Sequence, residues 1–337
     1  MRMLSWTGPA LLSAALLYGA KPLHMYFIDV EGGQATLIVA PAGESMLVDT
    51  GWPGRSGRDA GRILAVAKKA GVKKIDYLVI THYHMDHVGG VTQLAEKIPI
   101  RTFVDHGANS ETGKEADELM RAYSAYRAKG QHLEVKPGDT IPMKGVEIEV
   151  VSAGGSLIAN PMAGAGAANP ACGKEQRRAE DTSENGRSIG MIFTYGKFRL
   201  ANLADLTWNK ELDLMCPNAK LAPVDVYQVS HHGMDMSGSM ALVHALHPRV
   251  AIMNNGPRKG GTPPAWQVIH NSPGLEDFWQ LHYSIPGGKE NNAPDMFIAN
   301  TDEICEGQWL RLEAMPDGSF TVTNQRNRYS RSYPAKN

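Results

Sequence analysis

Residues 81–87 read Thr-His-Tyr-His-Met-Asp-His, and they follow directly on the strand-like run 75–80, Ile-Asp-Tyr-Leu-Val-Ile. Four of these seven side chains are of metal-binding types: His82, His84, Asp86 and His87. Imidazoles at alternate positions of an extended segment point to one side, and imidazole with carboxylate suits zinc, and also manganese or iron. Gly89 and Gly90 then let backbone pass close to such a site. The stretch predicts a buried strand that ends in a metal site; the alternative is a polar turn that is rich in histidine by chance.

The order His-x-His-x-Asp-His at the end of a strand resembles the signature of the metallo-β-lactamase superfamily. The opening strands add to this resemblance, because a tight turn at 31–34, Glu-Gly-Gly-Gln, joins two of them and a third ends at Asp49-Thr50-Gly51. These features resemble most closely the metallo domain of ComEC-type DNA-uptake proteins. The resemblance implies a four-layer αββα sandwich, an α/β fold with two sheets between layers of helices. It also implies that Asp49 supports the metal site without binding a metal.

Strand and helix patterns alternate along most of the chain, which agrees with an α/β fold. Apolar residues at helical spacing predict amphipathic helices over 58–70 and 115–129. A chain of 337 residues, 42% of them hydrophobic, can bury a large core, and we expect one metallo-β-lactamase-like domain over 21–337. Residues 153–187 lose all periodicity and are rich in glycine, alanine, proline and asparagine. Loops this long are usually functional or disordered, so this insertion is either a lid over the site or a flexible loop.

The second half of the chain supplies further candidates where strands end. The predicted strand 198–205 ends on Asp205, and another strand leads into His231 and His232. The resemblance implies two sets of metal ligands with Asp205 as a bridge: His82 and His84 for one metal, and Asp86, His87 and His231 for the other. His232 would support the site or donate a proton, although the two histidines could exchange roles. Asp205 could also serve only as the N-cap of a helix over 209–215.

One position departs from the pattern of the superfamily. Most superfamily hydrolases supply a third histidine to the first metal from a Gly-His segment just before the strand that begins here at Ser188. In this chain the corresponding position holds Glu184 or Asn185. ComEC-type domains are similar in having Asn and Ser there. The first site is therefore either weakly occupied or filled by a harder metal, such as manganese, with oxygen ligands.

Four residues are candidates for contact with the substrate, and Asn185 is one of them. His106 follows a predicted strand and could line the pocket or transfer a proton, or it could be an ordinary surface histidine. Arg258 and Lys259 lie in the glycine-rich loop 254–261, which resembles the loop that faces the site in ComEC-type domains. Such a basic loop could meet an anionic substrate, and an ordinary surface turn is the alternative.

The composition gives no sign of an electrostatic partner for the whole molecule. Lys and Arg number 34 against 35 Asp and Glu, so a net charge of -1 attracts neither nucleic acid nor anionic membranes. Residues 8–20 are apolar apart from Ser13, and this run is too short to span a bilayer. It suits a signal peptide over 1–20, with a frayed helix of a cytoplasmic protein as the alternative. We expect a secreted or periplasmic protein without stable insertion into a membrane.

The three cysteines, Cys172, Cys216 and Cys305, are widely spaced and lack a Cys-x-x-Cys pattern, so we do not expect them to bind a metal. In an exported protein they would form one disulfide and leave one thiol, with a pairing that the sequence leaves open. Cys172 falls in the long insertion, which would gain from such a link.

The expected function is hydrolysis. Two cations about 3.5–4 Å apart lower the pKa of a shared water and stabilise charge on the attacked centre. A metal-bound hydroxide would then be the nucleophile, with Asp86, Asp205 and His232 as catalytic residues and zinc at two sites as the cofactor; manganese is an alternative metal. The resemblance to ComEC-type domains favours a phosphodiester, and so a small-molecule or nucleotide-type substrate or a nucleic acid. The alternatives are a lactone or β-lactam hydrolase of the same fold, and a secreted metal-binding protein without turnover.

Overall fold

The computed structural model describes residues 20–336, so the predicted signal peptide lies outside the described residues apart from Ala20. The strands, in chain order, are β1 (Leu23–Phe27), β2 (Thr36–Val39), β3 (Ser45–Val48), β4 (Ile75–Val79), β5 (Ile100–Asp105), β6 (Gln131–Glu134), β7 (Glu147–Ala153), β8 (Ser156–Leu157), β9 (Gly190–Tyr195), β10 (Phe198–Asn202), β11 (Val226–Gln228), β12 (Val250–Met253), β13 (Asp277–His282), β14 (Ile298–Asn300), β15 (Leu310–Ala314), β16 (Phe320–Asn324) and β17 (Ser330–Tyr333). The α-helices are α1 (Arg58–Lys69), α2 (Met85–Val88), α3 (Val91–Ala95), α4 (Lys114–Arg127), α5 (Trp208–Met215), α6 (Met240–Leu246) and α7 (Pro263–His270). Over residues 20–336, no helix has the length and apolar character needed to cross a bilayer.

The strands form two mixed sheets. The first has nine strands in the order β17-β16-β15-β1-β2-β3-β4-β5-β6, and the second has eight in the order β14-β13-β12-β11-β10-β9-β7-β8. Strands β3 to β6 are parallel neighbours in the first sheet, and β10 to β14 are parallel neighbours in the second. Loops that follow the carboxyl ends of parallel strands gather along one edge of a sheet, where ligands usually bind.

Three apolar clusters define four layers. The central cluster packs the inner faces of the two sheets together, with Phe27 of β1 and Met191 of β9 among its members. A second cluster packs the first sheet against α1, α3 and α4, and a third packs the second sheet against α5, α6 and α7. The helix α1 shows how this is encoded, because Ile63 and Val66 on its apolar stripe are buried against the sheet. The predicted α/β class and αββα order are confirmed.

Two edge strands of the first sheet have no counterpart among the sequence predictions. β6 and β17 lie at opposite ends of that sheet, and most of their side chains are exposed. A strand with few buried residues shows no apolar alternation, which is the pattern that predicts a strand. By contrast, β4 is buried along its whole length, as its run of mostly apolar residues predicts.

The insertion 153–187 contains little regular structure beyond the end of β7, the short strand β8 and two 3₁₀ turns at Cys172–Lys174 and Glu184–Arg187. A disulfide joins Cys172 to Cys216 at the end of α5, and Cys305 is a free thiol. The Arg178 guanidinium lies over the ring of Trp208, 3.5 Å from its centroid. The insertion is therefore linked to α5 covalently and by side-chain stacking.

Candidate metal centre

The candidate ligands follow strands of both sheets. On the first sheet, β4 runs into Thr81 and His82, and α2 then carries Asp86 and His87. On the second sheet, Asp205 follows β10, while a 3₁₀ turn over Ser230–Gly233 after β11 holds the two vicinal histidines. These two histidines have φ values of 51° and 55°. Consecutive non-glycine residues in this sparsely populated region are strained, and such strain clusters at functional sites.

The Oδ2 atom of Asp205 lies among four imidazoles. Its distances to Nε2 atoms are 3.3 Å for His87, 3.4 Å for His232, 3.5 Å for His231 and 4.0 Å for His82. Two oxygen or nitrogen ligands of one tetrahedral zinc ion, each about 2.0–2.2 Å from the metal, lie about 3.3–3.6 Å apart. Three of the four separations match this spacing.

Asp86 is a second point of convergence beside Asp205. Its Oδ2 atom lies 3.1 Å from His232 Nε2 and 3.3 Å from His87 Nε2. The four side chains Asp86, His87, Asp205 and His232 are buried, and each offers a ligand atom within 4.8 Å of the others. His87 Nε2, both ring nitrogens of His232 and Asp205 Oδ1 find no hydrogen-bond partner among the described residues. Buried polar atoms are rarely left unpaired, so this cluster fits a bound cation.

His82 and His84 form a second pair of donors. His82 Nε2 lies 3.1 Å from His84 Nδ1, with the two rings in an edge-to-face arrangement. His82 also faces Asp205, 4.0 Å away, so the pair adjoins the cluster of four. Two ring nitrogens that face each other in this way can share one cation.

The electrostatics of the cluster favour the ligand forms of most of its members. Burial opposes ionisation of Asp86 and Asp205, but the surrounding histidines hold the pKa of both carboxyls well below the usual range. Burial lowers the pKa of His82 well below its ordinary value, and it also lowers the pKa of His231. Burial also acts to lower the pKa of His87. The neighbouring carboxylates outweigh this effect and raise the pKa of His87 well above its ordinary value. A cation would take the place of that proton.

Residues 28–157 match the family model described as "Metallo-beta-lactamase superfamily". Over these residues the chain is similar to that superfamily. ComE operon protein 3 of Bacillus subtilis is 26% identical over 259 residues, which are 72% of this chain and 29% of that protein. Hydroxyacylglutathione hydrolase of Rhodopseudomonas palustris is 33% identical over 100 residues, which are 30% of this chain and 32% of that protein. The chain thus spans less than a third of the length of these curated relatives.

Two solved structures align with much of this chain at low sequence identity. The metallo-beta-lactamase fold protein YhfI from Bacillus subtilis aligns with a TM-score of 0.48 at 11% identity, over 77% of this chain and 95% of YhfI. A diphosphatase from the PhnP family aligns with a TM-score of 0.42 at 13% identity, over 87% of this chain and 98% of that protein. The superfamily match and the buried His/Asp cluster confirm the prediction of a metal-dependent hydrolase. They leave no support for a binding protein without turnover.

Two carboxylates orient imidazoles of the candidate metal centre. Asp49 is fully buried, and its Oδ2 lies 2.8 Å from His87 Nδ1, so that His87 Nε2 faces the cluster. This is the supporting position that the sequence resemblance implies for Asp49. Glu111 Oε1 lies 3.2 Å from His84 Nε2, which leaves His84 Nδ1 toward His82. Glu111 lies in a polar loop before α4, and no sequence pattern marks it as part of the site.

The sequence resemblance places Glu184 or Asn185 where most superfamily hydrolases have the third histidine. The two side chains differ in whether they keep an atom free to bind a metal. Both Glu184 oxygens are used: Oε1 accepts hydrogen bonds from the Ser110 backbone and hydroxyl at 2.7 Å, and Oε2 lies 2.9 Å from His106 Nε2. Burial disfavours the charged form of Glu184, but His106 and Ser110 lower its pKa to about 2. Asn185 Oδ1 is buried and finds no hydrogen-bond partner among the described residues. Of the two, Asn185 keeps an acceptor free.

His106 is buried, with 5% of its surface exposed, so the alternative of a surface histidine does not describe it. Its ring packs against Tyr83, with centroids 4.8 Å apart, and pairs with Glu184. His106 therefore supports the backbone beside His82 and His84, and its contacts do not reach the Asp205 cluster.

Arg258 and Lys259, the basic pair in the loop 254–261, point to different places. Arg258 is exposed and binds Glu303 at 2.5 and 3.0 Å. Lys259 reaches inward: its Nζ lies 2.5 Å from Asp86 Oδ2 and 5.1 Å from the centroid of the Trp52 ring. Lys259 is therefore the member of this pair that is placed to meet a substrate at the cluster.

Residues 186–190 read Gly-Arg-Ser-Ile-Gly, which matches the nucleophile-elbow pattern of serine hydrolases. Ser188, however, is buried and precedes β9 instead of standing between a strand and a helix. Its Oγ lies 3.4 Å from His82 Nδ1, so this serine is placed to orient a candidate metal ligand.

Proposed function

We propose that this chain hydrolyses phosphodiesters with two divalent cations, zinc or manganese, held in the His/Asp cluster. The observation that carries the proposal is the convergence of four imidazole nitrogens on Asp205 Oδ2, with Asp86 beside them. Bound there, the two cations would supply a water of lowered pKa and positive charge at the attacked centre. The remaining chemistry depends on how the side chains are held.

The residues that would hold the second cation are Asp86, His87 and His232, with Asp205 beside them. His232 Nε2 lies close to both carboxylates, at 3.1 and 3.4 Å, whereas His231 Nε2 lies close to Asp205 only. The geometry thus favours the exchange of roles that the sequence left open. His231 Nδ1 lies 3.2 Å from Ser237 Oγ, so its other nitrogen faces Asp205 and can hold or release a proton there.

The first cation is assigned to His82 Nε2 and His84 Nδ1, with Asp205 and Asn185 as oxygen donors. The free, buried Oδ1 of Asn185 supports this assignment, since Glu184 is fully engaged elsewhere. A site with more oxygen ligands is expected to take manganese more readily than a site with three histidines.

The position of Lys259 supports the proposal that the substrate is an anion. Lys259 Nζ lies beside Asp86 Oδ2, so when Asp86 holds a cation this ammonium group would be available to a phosphate oxygen. The resemblance to ComEC-type domains favours a nucleotide or nucleic acid as the source of that phosphodiester. The match to a hydroxyacylglutathione hydrolase favours a second candidate, a carboxylic ester, thioester or lactone. The same ligand set would serve either class.

We also propose that the chain works in an oxidising compartment, as a secreted or periplasmic protein. The Cys172–Cys216 disulfide supports this, because structural disulfides persist outside the reducing cytosol. Counting free thiols in protein taken directly from cells, with thiols blocked at lysis, tests it. One free thiol per chain supports export and three contradict it.

The test of function compares metal-free protein with protein reloaded with zinc or manganese, on a bis-aryl phosphodiester, a lactone and a thioester. Hydrolysis of the diester is expected to return with metal and to be lost in Asp205→Ala and His84→Ala. His270→Ala, on the exposed end of α7, is the matched control that keeps activity. Activity that survives loss of Asp205 would overturn the proposal, and turnover of only the lactone or thioester would select the second candidate.

A further inference from the structure

A second group of metal-binding side chains lies apart from the His/Asp cluster and shares no residue with it. Asp29 follows β1 of the first sheet, His282 ends β13 of the second sheet, and Cys305 lies in the loop between β14 and β15. Asp29 and His282 are fully buried, and Cys305 is half-buried. Only the fold brings them together, because they are far apart in the chain.

The three side chains approach one another closely, with both carboxylate oxygens of Asp29 facing the other two donors. His282 Nε2 lies 2.9 Å from Asp29 Oδ1, and Cys305 Sγ lies 3.3 Å from Asp29 Oδ2 and 3.7 Å from His282 Nε2. With zinc bonds of about 2.3 Å to sulfur and about 2.0–2.2 Å to nitrogen or oxygen, tetrahedral ligands lie about 3.3–3.7 Å apart, and pairs that include sulfur lie at the upper end of this range. Small shifts of these side chains would bring all three donors to bonding distance of one cation.

The arrangement differs from a Cys-His-Asp nucleophile. In such a relay, one ring nitrogen faces the nucleophile and the other faces the carboxylate. Here Nε2 of His282 faces both Asp29 and Cys305, while Nδ1 is buried without a hydrogen-bond partner among the described residues. Donors that converge on one point suit a shared cation better than they suit proton transfer along a line.

Arg62 contacts two of the same three residues. Its Nη1 lies 2.9 Å from Asp29 Oδ2, and its Nη2 lies 3.4 Å from Cys305 Sγ and 3.0 Å from the Cys305 carbonyl oxygen. A guanidinium in this place would offset the negative charge of a carboxylate and a thiolate. With an ion bound, it would keep hydrogen bonds to the ligands and orient them, as residues around metal ligands commonly do.

We propose that Asp29, His282 and Cys305 form a second site for a zinc-type divalent cation, separate from the site of hydrolysis. Mixed sulfur, nitrogen and oxygen donors suit zinc and its soft analogues. No sequence pattern marks Cys305 as a metal ligand, because its partners Asp29 and His282 lie far from it in the chain. An ion there would tie the end of β1 to the end of β13 and to the loop before β15, where the two sheets meet.

The test uses the thiolate as a reporter. The His/Asp cluster offers only nitrogen and oxygen donors and the other two cysteines are in a disulfide, so a thiolate-to-metal charge-transfer band on loading the full chain with Co²⁺ or Cd²⁺ reports on Cys305 alone. The band is expected in the wild type and in Asp205→Ala, and its loss is expected in Cys305→Ser. A band that persists without Cys305, or none in the fully loaded wild type, overturns the proposal. Retention of the band in Asp205→Ala, while hydrolysis is lost, separates this site from the catalytic one.

Two further measurements distinguish a built site from a lone thiol that happens to bind cadmium. His282→Gln should weaken the apparent affinity for Cd²⁺ by about tenfold or more. Removing a residue that only orients a ligand typically lowers metal affinity about 10–100-fold, and His282 is proposed as a ligand itself. Unchanged affinity would overturn the proposal. Should Cys305→Ser fail to fold, the rate at which a thiol reagent modifies wild-type Cys305 takes its place: Cd²⁺ is expected to slow this rate, and an unaltered rate contradicts the site.

Discussion

The variants Lys259→Met and Arg258→Met form a matched pair that tests whether Lys259 contacts the substrate. The two residues are neighbours in the chain and carry the same charge. Lys259 Nζ lies 2.5 Å from Asp86 Oδ2, whereas Arg258 is exposed and bound to Glu303. Lys259→Met should therefore weaken catalysis on an anionic substrate, and Arg258→Met should leave it unchanged.

The size of the effect follows from the setting of the ammonium group. A hydrogen bond to a charged group contributes roughly 1.5–3 kcal/mol. The Lys259 side chain is 30% exposed, and solvent screening brings the expected contribution to about 1–2 kcal/mol. At about 1.36 kcal/mol for each factor of ten, kcat/KM for a phosphodiester should fall about 5–30-fold.

The assay is steady-state hydrolysis of a bis-aryl phosphodiester and of an uncharged lactone, at saturating metal. Metal must saturate because Lys259 contacts a proposed ligand, so its removal is also expected to favour metal binding. A selective loss on the diester supports the proposed contact. Equal losses on both substrates, equal losses in both variants, or no loss at all would refute it.

Three other outcomes are expected. Asp49→Asn should weaken metal affinity about 10–100-fold in a chelator competition, because His87 loses its orienting carboxylate; unchanged affinity would contradict this role. Glu111→Gln should lower the affinity for one of two metal equivalents by a similar factor, and a titration that shows both weakened would count against it. The folded-state pKa of Glu184 is about 2, below its ordinary 4.5, so its ionised form stabilises the fold above pH 4.5 and this contribution is lost as the pH falls toward 2. Urea unfolding of the wild type should therefore lose more stability than Glu184→Gln over that interval, and parallel curves would refute the assignment.

The first half of the site could be predicted because its ligands are close together in the sequence. His82, His84, Asp86 and His87 follow one buried strand, and the spacing of these side chains predicts a metal site. The choice between His231 and His232 could not be made in this way. It depends on two consecutive left-handed residues that aim one imidazole at both carboxylates and the other at one, and no periodicity encodes that turn.

Most of the site residues that could not be predicted owe their role to contacts between segments that are distant in the sequence. Glu111 is an ordinary acidic residue of a polar loop until the fold places it on His84. The Asp29–His282–Cys305 group draws on two sheets and a loop, so none of its members has a recognisable neighbour in the chain. The edge strands β6 and β17 were not predicted for another reason. Their side chains are mostly exposed, so their sequences lack the apolar alternation that indicates a strand.

The metal content of protein purified without added metal, measured together with its diesterase activity, tests the two-metal hydrolase most directly. We expect two metal ions per chain in the His/Asp cluster, counted in Cys305→Ser so that the other proposed site is removed. Chelation should abolish hydrolysis, and added zinc or manganese should restore it. A chain that holds one metal ion or none in that cluster and still cleaves the diester would contradict the mechanism.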